Sequence, residues 1–135
     1  MRILCTNDDG LRARGLELAV EICSTIAAVD VVAPDREQSA TSHSLTLYKP
    51  LRPTQRGPRR WEVDGTPTDC VLLALGALLA EKPDFVVSGV NHGPNMGEDV
   101  LYSGTVAAAM EGLSLGIPAV ALSLASRDQD LLATY

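Results

Sequence analysis

Residues 2–34 read as strand, helix, strand, and that unit constrains the chain more than any other feature. Residues 2–6 (Arg-Ile-Leu-Cys-Thr) form a short apolar run that stops at the turn signal Asn7-Asp8-Asp9-Gly10. Residues 15–27 carry Leu16, Val20, Cys23 and Ala27 at helical spacing, with Ala19, Ile22 and Ile26 beside them. Residues 29–33 (Val-Asp-Val-Val-Ala) are a second strand, ended by Pro34. Two strands joined by a helix should lie parallel, with a right-handed crossover.

The alternation continues. A short strand is expected near Ser44–Leu47 and another at residues 61–64 (Trp-Glu-Val-Asp). Thr66-Pro67-Thr68-Asp69 is a helix start: Thr66 suits the N-cap, Pro67 the first turn, and Asp69 the positive end of the dipole. That helix should run to about Ala80. Asp84–Ser88 is a strand, followed by a long glycine-rich loop. A helix should begin near Ser103 and run to about Leu115. Gly116-Ile117-Pro118 leads to a last strand at Ala119–Ser123, and Leu131–Tyr135 should open a further helix. Strands alternating with helices imply an α/β fold with a mostly parallel sheet. The 135 residues show no repeat and no second-domain boundary.

Composition narrows the classes of function. The chain is 46% hydrophobic and 21% charged, ordinary values for a globular protein. Its net charge of -6 argues against a nucleic-acid polymer as partner. The charge is uneven: residues 1–60 hold 9 basic and 7 acidic side chains, residues 61–135 hold 2 and 10. Lys49, Arg52, Arg56, Arg59 and Arg60 form a run without an acid. It reads either as a solvated loop or as a lip that attracts an anionic substrate. The 3 cysteines (Cys5, Cys23, Cys70) have apolar neighbours and read as small buried hydrophobes of a reducing compartment. With no long apolar run and a strand-like pattern from the first residues, no membrane partner is expected, and a cytoplasmic location is.

In open α/β sheets, ligands bind outside the carboxyl ends of the strands. Three polar loops follow strands here: Asn7–Gly10, Pro34–Ser44 and Gly89–Asp99. Adjacent carboxylates repel unless a cation lies between them or one stays protonated. Asp8 and Asp9 therefore signal a hard metal ion, although a turn and helix cap would use the same residues. Ser39 and Asn91, at the other two strand ends, complete an all-oxygen set that suits magnesium or manganese better than zinc. Gly89, Gly93 and Gly97 permit close backbone approach, and Ser103-Gly104-Thr105 opens a helix where N–H groups favour a phosphate. Ser103 also fits a plain N-cap. His43 and His92 are candidates for proton transfer or phosphate contact, or ordinary surface hydrogen-bonders. A metal and a phosphate cradle in one crevice favour phosphoryl chemistry. A receiver domain would need a lysine after a late strand, and a dinucleotide-binding dehydrogenase would need G-x-G-x-x-G after the first; neither is present.

At this point the motifs are collectively informative. Thr6-Asn7-Asp8-Asp9-Gly10, Val32-Ala33-Pro34-Asp35-Arg36 with Ser39 and Ser44-Leu45-Thr46, Gly65-Thr66-Pro67-Thr68-Asp69-Cys70, and Ser88-Gly89-Val90-Asn91 through Tyr102-Ser103-Gly104-Thr105-Val106 occur in order. Together they resemble the SurE family, the stationary-phase survival proteins, which are metal-dependent nucleotidases and acid phosphatases. The resemblance implies a Rossmann-like three-layer α/β sandwich and one Mg²⁺ or Mn²⁺ per subunit. It implies hydrolysis of nucleoside 5′-monophosphates, with 3′-nucleotides and short polyphosphate also accepted. The family's metal ligands fall on Asp8, Asp9, Ser39 and Asn91. Its phosphate pocket falls on Asn95, Ser103, Gly104 and Thr105, with His43 near the substrate. Asp8, Asp9 and Asn95 are the candidate catalytic residues. Family members are about twice as long and assemble as dimers or tetramers. Residues 1–135 thus read as a single SurE-like domain lacking the C-terminal part, with a non-catalytic binding or assembly fragment as the alternative.

Overall fold

The structure, a computed structural model, describes residues 1–126. Six strands form one sheet: β1 (Arg2–Thr6), β2 (Ala28–Pro34), β3 (Pro53–Gly57), β4 (Arg60–Val63), β5 (Phe85–Asn91) and β6 (Ala119–Ser123). Their order is β3-β4-β2-β1-β5-β6, and every pair is parallel except β3 with β4. Helices α1 (Arg14–Ser24), α2 (Pro67–Leu73), α3 (Asp99–Tyr102) and α4 (Gly104–Ser114) complete the fold, with a π-helical turn at Ala74–Leu78 after α2.

Successive strand residues point to opposite faces, so each buried strand supplies two cores. Ile3, Cys5, Val31, Ala33 and Val87 face α1 and meet its Leu16, Ala19 and Cys23. Leu4, Val32, Val63 and Val86 face the other way and meet Cys70 and Val71 of α2, Ala74 of the π turn and Ala108 of α4. This is the expected three-layer α/β sandwich. Leu16 is fully buried, which is worth roughly 2 kcal/mol. The three cysteines are buried and free, as their neighbours implied. Among the described residues no helix is long and apolar enough to cross a membrane.

The caps fall where the sequence placed them. Asp69 N–H donates to Thr66 Oγ1 at 3.1 Å and Thr66 N–H donates to Asp69 Oδ2 at 2.8 Å, a reciprocal capping box with Pro67 in the first turn. Ser103 Oγ accepts from Val106 N–H at 3.1 Å at the start of α4.

Two expectations are corrected. Ser44–Leu47 is not a strand; the outer strand is β3, Pro53–Gly57, which folds back on β4 through Pro58-Arg59. Thr46 N–H is instead held by Asp69 Oδ1 at 3.0 Å, so the cap of α2 takes the donor that a strand partner would have used. The helix after Thr66 keeps α geometry to Leu73 and continues as the π turn to Leu78, close to the expected end at Ala80. Short α3 lies inside what read as a glycine-rich loop. The helix expected at Leu131–Tyr135 lies outside the described residues.

Asp30 anchors the β3–β4 hairpin. It is 2% exposed and accepts from Arg59 Nε and Nη2, both at 2.8 Å, and from Arg2 Nη1 at 3.3 Å. Burial alone would raise its pKa, but the hydrogen bonds and charges of Arg59 and Arg2 outweigh burial and hold the carboxyl below the usual range. A depressed folded pKa stabilises above the unfolded value and ceases to do so as pH falls through the folded one. Asp30→Asn should therefore cost roughly 1–2 kcal/mol near neutrality, discounted because Arg59 is part-exposed. The difference from wild type should shrink below about pH 4 in urea melts.

Candidate active site

The strand order places the switch point between β1 and β5: the chain runs outward through β2 and β4 on one side, then returns to β5 and β6 on the other. The carboxyl ends of β1 and β5 are joined in register, Thr6 opposite Ser88. Asn7–Gly10 and the segment from Asn91 therefore face each other across one crevice.

Asn7 shapes the first loop. Fully buried, its Nδ2 donates to Gly10 O at 3.0 Å and its Oδ1 accepts from Gly10 N–H at 3.2 Å. Gly10 itself sits at φ 101°, a conformation other residues rarely adopt. The clamp fixes Asp8 and Asp9 between two rigid ends. Asp8, 5% exposed, accepts from Thr105 Oγ1 (2.6 Å to Oδ1) and from Thr105 N–H (3.1 Å to Oδ2). Asp9 Oδ2 accepts from His92 N–H at 3.0 Å. Asn91 Nδ2 is occupied by Gly93 O at 2.9 Å, leaving Oδ1 directed toward Thr105 Oγ1 at 3.3 Å. Thr105 has one hydroxyl proton, and the shorter bond to Asp8 takes it.

A cavity of about 440 Å³ opens here, walled by Asp8, Asp9, Glu37, Ser39, Ala40, Asn91, His92, Pro94, Asn95, Asp99, Tyr102 and Ser103. Among the described residues, four carboxylates and no Lys or Arg line it. Burial, the largest cause, and the neighbouring Asp9 charge raise the pKa of Asp8 against the opposing bonds from Thr105. Burial likewise raises that of Asp9, with Glu37 adding repulsion and His92 opposing. Such a wall calls for a cation. Among the described residues no three His, Cys, Asp or Glu side chains form a metal cluster. The available donors are carboxylate, hydroxyl and amide oxygens, which fit a hard cation.

Of the residues named from sequence, Asp8, Asp9, Ser39, Asn91, His92, Asn95 and Ser103 share the cavity wall. Ser39 Oγ donates to Glu37 Oε1 at 2.6 Å, and Asn95 Nδ2 donates to Ser123 Oγ at 2.7 Å. Thr105 is fully buried beneath the wall, bonded to Asp8, and Gly104 packs against Asp8 Cβ. His43 is not in the wall; its Nε2–H donates to Glu111 Oε2 on α4 at 2.7 Å. The basic run does not form a lip. Arg56 pairs with Glu62 at 2.7 Å, Arg59 with Asp30 and Lys49 with Asp64, and none of its five residues reaches the crevice. Sequence reading missed Asn7, Glu37, Asp99 and Tyr102. Only Asn7 had a signal, since Asn before Gly at this spacing closes turns.

Fold and crevice together define a Rossmann-like α/β protein with a carboxylate-rich site at its topological switch point. The family model described as "Survival protein SurE" matches residues 3–134. The chain is 70% identical over 125 residues to the 5′-nucleotidase SurE of Gemmatimonas aurantiaca, covering 93% of this chain and 50% of that protein. It is 58% identical over 124 residues to the 5′-nucleotidase SurE of Geotalea daltonii, covering 92% and 50%. The crystal structure of the SurE protein from Aquifex aeolicus superposes with a TM-score of 0.92 at 43% identity, covering 99% of this chain and 56% of that one. The chain belongs to the SurE family. It spans about half the length of the curated relatives it matches.

Proposed function

We propose that this chain carries the metal- and phosphate-binding part of a nucleotidase that hydrolyses nucleoside 5′-monophosphates to nucleoside and phosphate. The observation that carries the reading is the crevice itself: Asp8, Asp9, Glu37 and Asp99, with no cationic side chain among the described residues that line it, set beside the N-terminus of α4. The 70% identity to a protein named 5′-nucleotidase SurE supports the substrate.

Asp8, Asp9, Ser39 and Asn91 would hold one Mg²⁺ or Mn²⁺ per subunit. When bound, the ion supplies Lewis-acid polarisation of a phosphoryl oxygen and lowers the pKa of a water. The chain's own residues do the rest. Thr105 holds Asp8 by two bonds and directs its carboxylate to the ion. Gln38 N–H donates to Asp8 O at 2.7 Å and brings Ser39 to the same ion. Ser103 caps α4, and because the Thr105 and Val106 N–H groups are held by Asp8 and Ser103, the Gly104 N–H, with the Asn95 amide, would receive the phosphate oxygens. The volume of about 440 Å³ accommodates a mononucleotide. Acceptance of 3′-nucleotides and short polyphosphate, assembly as a homodimer or homotetramer in the longer protein, and a cytoplasmic location complete the proposal.

A phosphate-release assay tests it. With Mg²⁺ or Mn²⁺ the protein should release phosphate from a 5′-mononucleotide, and chelator should abolish the release. Turnover unchanged in chelator would remove the metal from the reaction. Nucleotide binding without turnover would favour the binding-fragment reading.

A further inference from the structure

The segment that carries Ser39 has no regular structure between β2 and β3, yet it is closely held. Gln38 N–H bonds to Asp8 O at 2.7 Å, Ser42 N–H to Tyr102 O at 3.0 Å, and Ser44 O accepts from Thr66 Oγ1 at 2.8 Å. Ala40 and Ser42 adopt φ of 57° and 53°, left-handed conformations that are unfavourable for a non-glycine residue. A loop with two such residues keeps its shape only where its neighbours impose it. The side chain that ties it to α4 is His43, whose Nε2–H lies 2.7 Å from Glu111 Oε2. The bond lies at the surface, with the Glu111 side chain 13% exposed and the His43 side chain 36% exposed. Glu111 lies two helical turns beyond Gly104 and Thr105, on the same rigid helix that grips Asp8.

We propose that His43 and Glu111 are a positioning pair that clamps the Ser39 loop onto α4 and so sets Ser39 against Asp8 and Asn91. Neither residue touches the substrate. The pair fixes the distance between two groups of cation ligands that arrive from different elements: Ser39 from the loop, and Asp8 through Thr105. This inference rests on the assignment of Ser39 to the cation.

The test is a double-mutant cycle read by Mn²⁺ binding calorimetry and by amide hydrogen exchange. His43→Ala and Glu111→Ala should each weaken Mn²⁺ binding about 5- to 10-fold, and the double variant should be no weaker than either single one. Both should speed exchange at residues 38–46 while β1 and β5 stay protected. Glu111→Gln, whose amide oxygen still accepts from His43, should restore most of the affinity. Additive losses, unchanged affinity in His43→Ala, or failure of Glu111→Gln to rescue would each overturn the clamp. If wild type binds no Mn²⁺, the metal reading fails, and unchanged exchange in His43→Ala would then overturn the clamp separately.

Discussion

Asp8→Asn should lose phosphatase activity by roughly 100-fold or more while the protein stays folded. The amide matches the carboxylate in shape and its oxygen keeps one of the two bonds from Thr105, while its NH2 faces the other donor; the turn closed by Asn7 survives. What disappears is charge. In the metal-free protein Asp8 and Asp9 both have raised pKa values, chiefly through burial. Raised carboxyls stabilise the fold at acidic pH and withdraw that contribution as pH rises through their folded values. Near neutrality removal of the unfavourable buried charge offsets the lost Thr105 bond, so the metal-free variant should melt close to wild type. Mg²⁺ or Mn²⁺ should raise the melting temperature of wild type, less so at acidic pH where protons compete, and should leave the variant unmoved. Full activity in Asp8→Asn would exclude Asp8 from the site.

Gly15→Ala should produce the largest loss of stability. A Cβ on Gly15 would overlap the carbonyl oxygen of Val90, and its carbonyl carbon would lie 2.9 Å away. The obstacle is backbone near the end of a central strand, so it cannot rotate aside as a side chain would. Helix α1 would have to lift from β5, opening the core around Leu16 and Val87. The cost should be about 3 kcal/mol, which lowers the melting temperature by roughly 10 °C in a domain of this size. Gly76→Ala is the control: a Cβ there meets nothing within 4 Å, and stability should stay within about 0.5 kcal/mol of wild type. Equal melting of the two variants would show that α1 is not seated as described.

Elements with a buried face were legible in sequence because burial leaves an apolar pattern. β1, β2, β5, β6, α1 and α4 were each expected within a few residues of where they lie. Strand β3 (Pro-Thr-Gln-Arg-Gly) is almost wholly exposed at the sheet edge, so no alternation marks it. Its proline and charge are what an edge strand carries to resist pairing with another chain. Ser44–Leu47 had the apolar content of a strand, but Leu45 and Leu47 are exposed, and tertiary contacts override propensity there. The cavity-wall positions of Asp8, Asp9, Ser39 and Asn91 could be read because strand ends converge in this class of fold. The bonds of Thr105 to Asp8, and of His43 to Glu111, could not. Each spans a large sequence separation, and only the folded sheet brings the partners together.

That separation matters during synthesis. Asp8 emerges 97 residues before Thr105, and at about 5–20 residues per second the ribosome takes roughly 5–20 s to deliver its partner. β5 emerges before Thr105 and can pair with β1 first, but until Thr105 follows, Asp8 lacks the two donors that hold it. The crevice is therefore unformed in the early nascent chain, and it takes shape only once the central strand pair has closed and α4 has followed.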